Sequence, residues 1–165
     1  SLFYAGPTNK KMHAHNYVPV DIMKWFYYTF DHYLNWNKIQ EFKMDINSIW
    51  INEMKAGDYN PVHIHQGRLY TGLSSVMILK LPKDMGPEII RPDIPMNGQL
   101  QILGNISGQF VTGDYSPKMK IGDFYVFPYD MRHVVYPFTN KKEKRRTLVC
   151  NCDVHYNSVI SRTAQ

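Results

Sequence analysis

The chain has 165 residues, 44% of them hydrophobic and 20% charged, and carries a net charge of +5. That length suits one domain with a real core, and that balance excludes a disordered chain. No apolar run reaches the ~18–20 residues of a transmembrane helix, and the first residues lack the continuous apolar stretch of a signal peptide.

In chain order, residues 1–16 are polar and irregular, with a first H-x-H pair at His13 and His15. Over 19–43, Ile22, Phe26, Phe30, Tyr33 and Leu34 recur at helical spacing behind Asp21, which predicts a helix laid against a sheet. From residue 46 the texture changes to short apolar runs with turn punctuation. Strands are expected at 47–54, 61–65, 69–81, 99–103, 108–112, 123–127, 132–137 and 146–153. Breaks such as Ala56-Gly57-Asp58, Gln66-Gly67 and Ile121-Gly122-Asp123 separate them. The Pro- and Gly-rich stretch 82–98 reads as a surface loop able to cover a site. One helix followed by about eight strands predicts a mainly β jelly roll in a single domain over 1–165. An arm and helix occupy 1–45 and the core 46–155.

The chain has seven histidines, and two stand out. His63 and His65 lie two apart in Asn60-Pro61-Val62-His63-Ile64-His65. Successive strand side chains alternate faces, so both imidazoles share a face and Ile64 turns the other way. Two imidazoles on one face can begin a first-row transition-metal site; two structural histidines are the plainer explanation of this motif alone. His133 follows Gly122-Asp123-Phe124-Tyr125-Val126-Phe127-Pro128 and the connection Tyr129–Arg132, and precedes Val134-Val135-Tyr136-Pro137. Strands distant in sequence face one another across a jelly-roll mouth, so an early H-x-H and a late histidine can meet at one ion. Arg145 and Thr147 form an R-x-T pair at the start of the last strand and also share a face. A guanidinium there can grip a carboxylate through two parallel hydrogen bonds, with the hydroxyl adding a third.

The ordered series Asn60-Pro-x-His63-x-His65, Gly122-Asp-Phe-x-x-Phe127-Pro128, His133-x-Val-x-Pro137, Arg145-x-Thr147 and Asn151 resembles the Fe(II)/2-oxoglutarate-dependent oxygenases. It is most similar to the prolyl-4-hydroxylase-like oxygenases common in marine bacteriophages and bacteria. The resemblance spans about 46–153. It implies a double-stranded β-helix (cupin-like), with Fe(II) on His63, His65 and His133 and Arg145 on the distal carboxylate of the cosubstrate 2-oxoglutarate. It also implies hydroxylation of a C–H bond with O2, by analogy on a prolyl or other peptide side chain. One departure is plain: the superfamily's usual triad has a carboxylate where this chain has His65. Asp58, Asp123 and Asp130 are other carboxylate sources, none at the usual spacing. If His65 is not a ligand, it is left beside the metal or the substrate. Where related sequences carry a tyrosine on the strand after the H-x-H, this chain aligns Ile78, so Thr147 or Tyr70 is expected to supply the second contact to 2-oxoglutarate.

Two rivals stay open. One is a three-histidine cupin dioxygenase that needs no 2-oxoglutarate. The other is a non-enzymatic cupin-like module binding nucleic acid or another anion through the basic run Lys141-Lys142-Glu143-Lys144-Arg145-Arg146, which a solvated loop explains as well. His13, His15, His32 and His155 are expected to be surface or packing residues. Cys150 and Cys152 are expected as packed thiols facing away from Arg145, Thr147 and Asn151, in a reducing cytoplasm, a host's if the chain is phage-encoded. No Walker A loop, GxGxxG or GxSxG elbow is present, which disfavours nucleotide hydrolysis, a Rossmann cofactor and α/β-hydrolase chemistry.

Overall fold

The computed structural model describes residues 10–13, 17–88, 92–105, 108–111 and 113–156. Among them are β1 (Lys10–His13), α1 (Val20–Trp36), β2 (Phe42–Met54), β3 (Asn60–His63) and β4 (Gly72–Lys80). There follow β5 (Leu100–Ile102), β6 (Phe124–Pro128), β7 (His133–Val135) and β8 (Arg145–Tyr156). Five strands form one sheet in the order β1-β2-β8-β4-β6, and three form a second in the order β3-β7-β5, all antiparallel. This is the expected mainly β jelly roll, a double-stranded β-helix with its helix on the larger sheet.

The alternation of β8 builds two different faces. On the outer face Cys150 and Cys152 join Ile46, Ile49 and Leu73 beneath Phe26, Phe30 and Leu34 of α1. The three helix residues are spaced four apart, so they form one stripe, and burying each aromatic contributes ~1.5–3 kcal/mol. Both thiols are free and buried, and burial is the chief cause of their raised pKa values. On the inner face Val149 packs with Trp50, Val76, Ile78 and Phe127. Met54 of β2 meets Leu100 of β5, Val135 of β7 and Phe138, which closes the larger sheet onto the smaller.

Several boundaries differ from expectation. The helix ends at Trp36 rather than near 43, because the chain turns through positive φ at Lys38 (58°), with Lys38 N–H on Asn35 O and Ile39 N–H on Leu34 O, and again at Glu41 (55°). The polar stretch expected to be irregular contains β1, which pairs Lys10–His13 with Trp50–Glu53. β8 continues to Tyr156 and takes in His155, which pairs across from Lys43. The strand expected at 108–112 reduces to an isolated Gly108–Val111 bridge, with Phe110 exposed; residue 112 lies outside the described residues, as does His15. Loop 82–98 is tied down where described: Glu88 Oε2 accepts Met96 N–H (2.7 Å) and Asn97 N–H (2.8 Å), and Thr139 Oγ1 donates to Pro87 O (2.9 Å). No helix among the described residues is long and apolar enough to cross a membrane.

The basic run is largely absorbed by the fold. Lys144 Nζ reaches Glu53 Oε1 at 2.7 Å and Arg146 Nε reaches Glu53 Oε2 at 3.1 Å, on the outer face. Glu143 accepts from Lys83 N–H (2.8 Å), and Arg145 turns inward, which leaves Lys141 and Lys142 exposed. Hydrogen bonds from Lys144 and then Arg146 hold the Glu53 carboxyl down at about 2, against an ordinary 4.5. A folded value below the unfolded one means that the stabilisation is complete above pH 4.5 and drains away as pH falls toward about 2. Glu53→Gln should therefore lower the melting midpoint at neutral pH by a few degrees and flatten the acid limb within that window, as read by calorimetry across pH.

Candidate metal centre

His63 and His133 meet by strand register. β3 and β7 pair antiparallel with His63 directly opposite His133, so the two rings share a face with centroids 4.2 Å apart. His65 arrives differently from expectation. β3 ends at His63, and a register shift between Asn60 and His63 breaks the simple alternation. His65 is fixed instead by its own N–H on Tyr129 O (2.9 Å), just ahead of β7. Val62 and Ile64 face outward and are exposed.

The three rings offer one nitrogen each within 4.8 Å of one another. His65 Nε2 and His133 Nε2 are 3.1 Å apart, the spacing of two nitrogens held ~2.1 Å from a shared ion at right angles. His65 and His133 are buried and His63 is half-buried, which leaves an approach from one side. Backbone carbonyls fix two of the tautomers. His63 Nδ1–H donates to Pro61 O (2.7 Å) and His133 Nδ1–H donates to Met131 O (3.0 Å), so each presents a bare Nε2. Burial, reinforced by the neighbouring His63, holds His133 down at about 4, so it is a neutral donor at pH 7. Phe127, 4.7 Å from the His133 ring, and Trp50, 6.2 Å from the His65 ring, wall the group from within. Three neutral imidazoles fit a divalent first-row ion and leave half of an octahedral shell for other ligands.

The loop after His65 is pinned from beneath by Asp153. Its carboxylate accepts Arg68 N–H (3.0 Å), Leu69 N–H (3.3 Å), Asn47 Nδ2–H (2.9 Å) and Tyr129 O–H (3.1 Å). A Cβ at Gly67 would lie 1.9 Å from Asp153 Oδ1, so only glycine allows this approach.

Arg145 is 1% exposed, yet its guanidinium faces thioethers, with Met54 Sδ at 3.7 Å from one terminal nitrogen and Met119 Sδ at 3.6 Å from the other. Among the described residues its Nε has no hydrogen-bond partner. Burial draws its pKa down to about 10, opposed by Tyr125, and it remains a cation at neutral pH. Thr147, also buried, lies between Asn52 and Ile78 in register, and Asn52 Oδ1 is a second orphaned polar atom. An unpaired buried charge is costly, and its natural complement is an anion.

A family model described as "Putative 2OG-Fe(II) oxygenase" matches residues 48–151, well over half of the chain and all three histidines with Arg145. The chain belongs to this oxygenase family. Among curated protein sequences no relative matches it. Among solved structures, a prolyl-4-hydroxylase from Pseudomonas putida superposes with a TM-score of 0.56 at 14% identity, covering 88% of this chain and 71% of that one. The viral collagen prolyl hydroxylase vCPH from Paramecium Bursaria Chlorella virus-1, solved as a 2OG complex, gives 0.54 at 12% identity, covering 87% and 77%. A 2OG-Fe(II) oxygenase family oxidoreductase from Burkholderia pseudomallei gives 0.48 at 16% identity, and the chain spans only 45% of its length. The likeness to the two prolyl hydroxylases shows the fold.

In this oxygenase two expectations about the second contact fare differently. Thr147 sits two residues from Arg145 on the same buried face. Tyr70 does not join them. It precedes β4, whose start pairs Gly72 with Asp153, whereas Arg145 opens β8 at the far end. Eight strand residues separate those ends, ~26 Å, and Tyr70 is 86% exposed beside Tyr33 and Tyr129. Ile78 is buried opposite Thr147 and offers no polar atom. The residue that sequence reasoning missed is Tyr125 of β6. It packs against both inner clusters and is coupled electrostatically to Arg145, and burial followed by its hydrogen bond to Asp123 (2.9 Å) raises its pKa. Period-two parity with Phe127 was the available signal. His32 stacks on Tyr28 at the helix surface (6.5 Å), away from the centre. His133→Ala should weaken Mn(II) binding by at least ~100-fold in calorimetric titration and abolish the rise in melting midpoint on adding Mn(II).

Proposed function

We propose that this oxygenase uses Fe(II) held by His63, His65 and His133, and 2-oxoglutarate held at Arg145, to hydroxylate a C–H bond. The substrate class we favour is a prolyl or other peptide side chain, in keeping with the prolyl hydroxylases of like fold. The observation that supports the cosubstrate assignment is the buried guanidinium, which among the described residues meets only thioether sulfurs, on the inner face of the same strand that carries Asn151 beside His65. A cytoplasmic setting, a host's for a phage-encoded chain, agrees with two free thiols.

The pair supplies oxidative decarboxylation of 2-oxoglutarate to succinate and CO2, with the second atom of O2 delivered to the substrate carbon. The chain's own tasks are binding, orientation and exclusion of water. Arg145 grips the distal carboxylate through two terminal nitrogens, and the Thr147 hydroxyl adds a third donor. Tyr125 packs beside this group with its hydroxyl already donated to Asp123, so it contributes packing rather than a further donor. Trp50, Val76, Phe127 and Val149 form a dry wall, in which these charge-assisted bonds are stronger than in water. Bare Nε2 atoms on His63 and His133 hold the metal toward the half-buried side, where a substrate can enter.

An all-imidazole donor set would by itself suit a cupin dioxygenase without a cosubstrate; the cationic Arg145 favours 2-oxoglutarate. Succinate formed from 2-oxoglutarate in the presence of Fe(II) and O2 separates the two. Arg145→Met replaces the cation with a side chain like its neighbours Met54 and Met119. It should raise the melting midpoint of the cosubstrate-free protein while raising the apparent KM for 2-oxoglutarate ~100-fold or more. Ordinary saturation by 2-oxoglutarate in that variant would reject the assignment.

A further inference from the structure

The metal end holds a directed chain of hydrogen bonds. Ser74 Oγ–H donates to Asn151 Oδ1 (2.8 Å), and Asn151 Nδ2–H donates to His65 Nδ1 (3.3 Å). His65 Nε2–H then donates to His133 Nε2 (3.1 Å), and His133 Nδ1–H to Met131 O (3.0 Å). Ser74 and Asn151 are both fully buried. Each link uses one donor and one acceptor, so the tautomer of His65 is tied to which end of the Asn151 amide faces it.

His63 and His133 already present a bare Nε2, because backbone carbonyls hold their Nδ1–H. His65 does not. With Nδ2 of Asn151 against its Nδ1, its proton sits on Nε2, where a metal would bind. For His65 to become a ligand, the Nε2 proton leaves to solvent and one is taken up at Nδ1, with no net change. The amide must then turn over, so that Asn151 Oδ1 accepts Nδ1–H and Nδ2 donates to Ser74 Oγ. The two ends of an amide are nearly isosteric, so the buried space accommodates either orientation.

We propose that Asn151, backed by Ser74, is a positioning residue whose amide orientation selects the tautomer of His65 and thereby sets how tightly the three imidazoles hold a divalent metal. This rests on those imidazoles being the ligand set. Hydrogen-bond partners of ligating imidazoles commonly tune metal affinity by ~10–100-fold. Here the effect falls on the ring that replaces the usual carboxylate.

Zn(II) serves as the probe, because it is redox-inert and diamagnetic. Two-bond 1H–15N histidine spectra of the metal-free protein should show His65 with its proton on Nε2, and Zn(II) should move it to Nδ1. Asn151→Asp can only accept, so His65 should carry Nδ1–H even without metal, and calorimetry should give a Zn(II) affinity ~10-fold tighter. Asn151→Leu should weaken Zn(II) binding ~10-fold. Equal weakening by both substitutions, or an Asn151→Asp protein that keeps the proton on Nε2, would overturn the proposal. If Asn151→Leu does not fold, the isosteric Asn151→Asp and the parent spectra decide it alone. His63→Ala separates the two layers. Parent-like Zn(II) affinity in His63→Ala removes the ligand set itself. Loss of Zn(II) there, with parent-like affinity in both Asn151 variants, removes only the role given to Asn151.

Discussion

The antiparallel seat of β8 between β2 and β4 is the constraint on which the site depends. Its register fixes a ladder of inward side chains, Arg145, Thr147, Val149 and Asn151, with Asn52, Ile78, Trp50, Val76 and Ser74 beside them. One end of the ladder carries a charge and the other touches an imidazole. A one-residue slip would turn this whole set onto the helix-bearing face and bring Cys150 and Cys152 inward. The helix guards against that slip, because Phe26, Phe30 and Leu34 are packed on the thiol-bearing face.

Arg145 gives the inner face a buried positive charge beside apolar walls. Burial keeps His133 neutral at pH 7, whereas Arg145 remains a cation. Glu53, the carboxylate nearest in sequence to Met54, is turned outward and occupied by Lys144 and Arg146. An entering dianion therefore meets attraction at both of its ends, which low-dielectric walls strengthen. With His65 where a carboxylate is usual, a divalent ion held by these three rings would keep more of its charge, and this would increase that attraction.

Much of this was legible in the sequence. The H-x-H pair and one distant histidine pointed to three imidazoles that the fold does bring together, because jelly-roll topology is a strong constraint. The face shared by Arg145, Thr147 and Asn151 followed from the same period. What was illegible depended on tertiary detail. Nothing local marks Lys38 and Glu41 as left-handed, so the helix end was overrun. Tyr70 looked available because its place relative to Arg145 depends on which end of β8 pairs with Gly72. Tyr125 was hidden in a run of aromatics that reads as core. His65 reaches the other two rings through a backbone bond to Tyr129 rather than by strand alternation, so its place beside them rests on a contact that period-two reasoning does not contain. The charge run at 141–146 gave no sign that Glu53, some ninety residues earlier, would claim two of its cations.

Asp153 links the histidine loop to the last strand. Because one carboxylate holds the amides of Arg68 and Leu69, the side chain of Asn47 and the hydroxyl of Tyr129, the loop cannot lift away while the C-terminal half of β8 stays paired. Surface loops ordinarily open at little cost, independently of the body. Here amide protons at 68 and 69 should exchange with solvent only as rarely as those of the central sheet, so the entrance inherits the cooperativity of the whole fold.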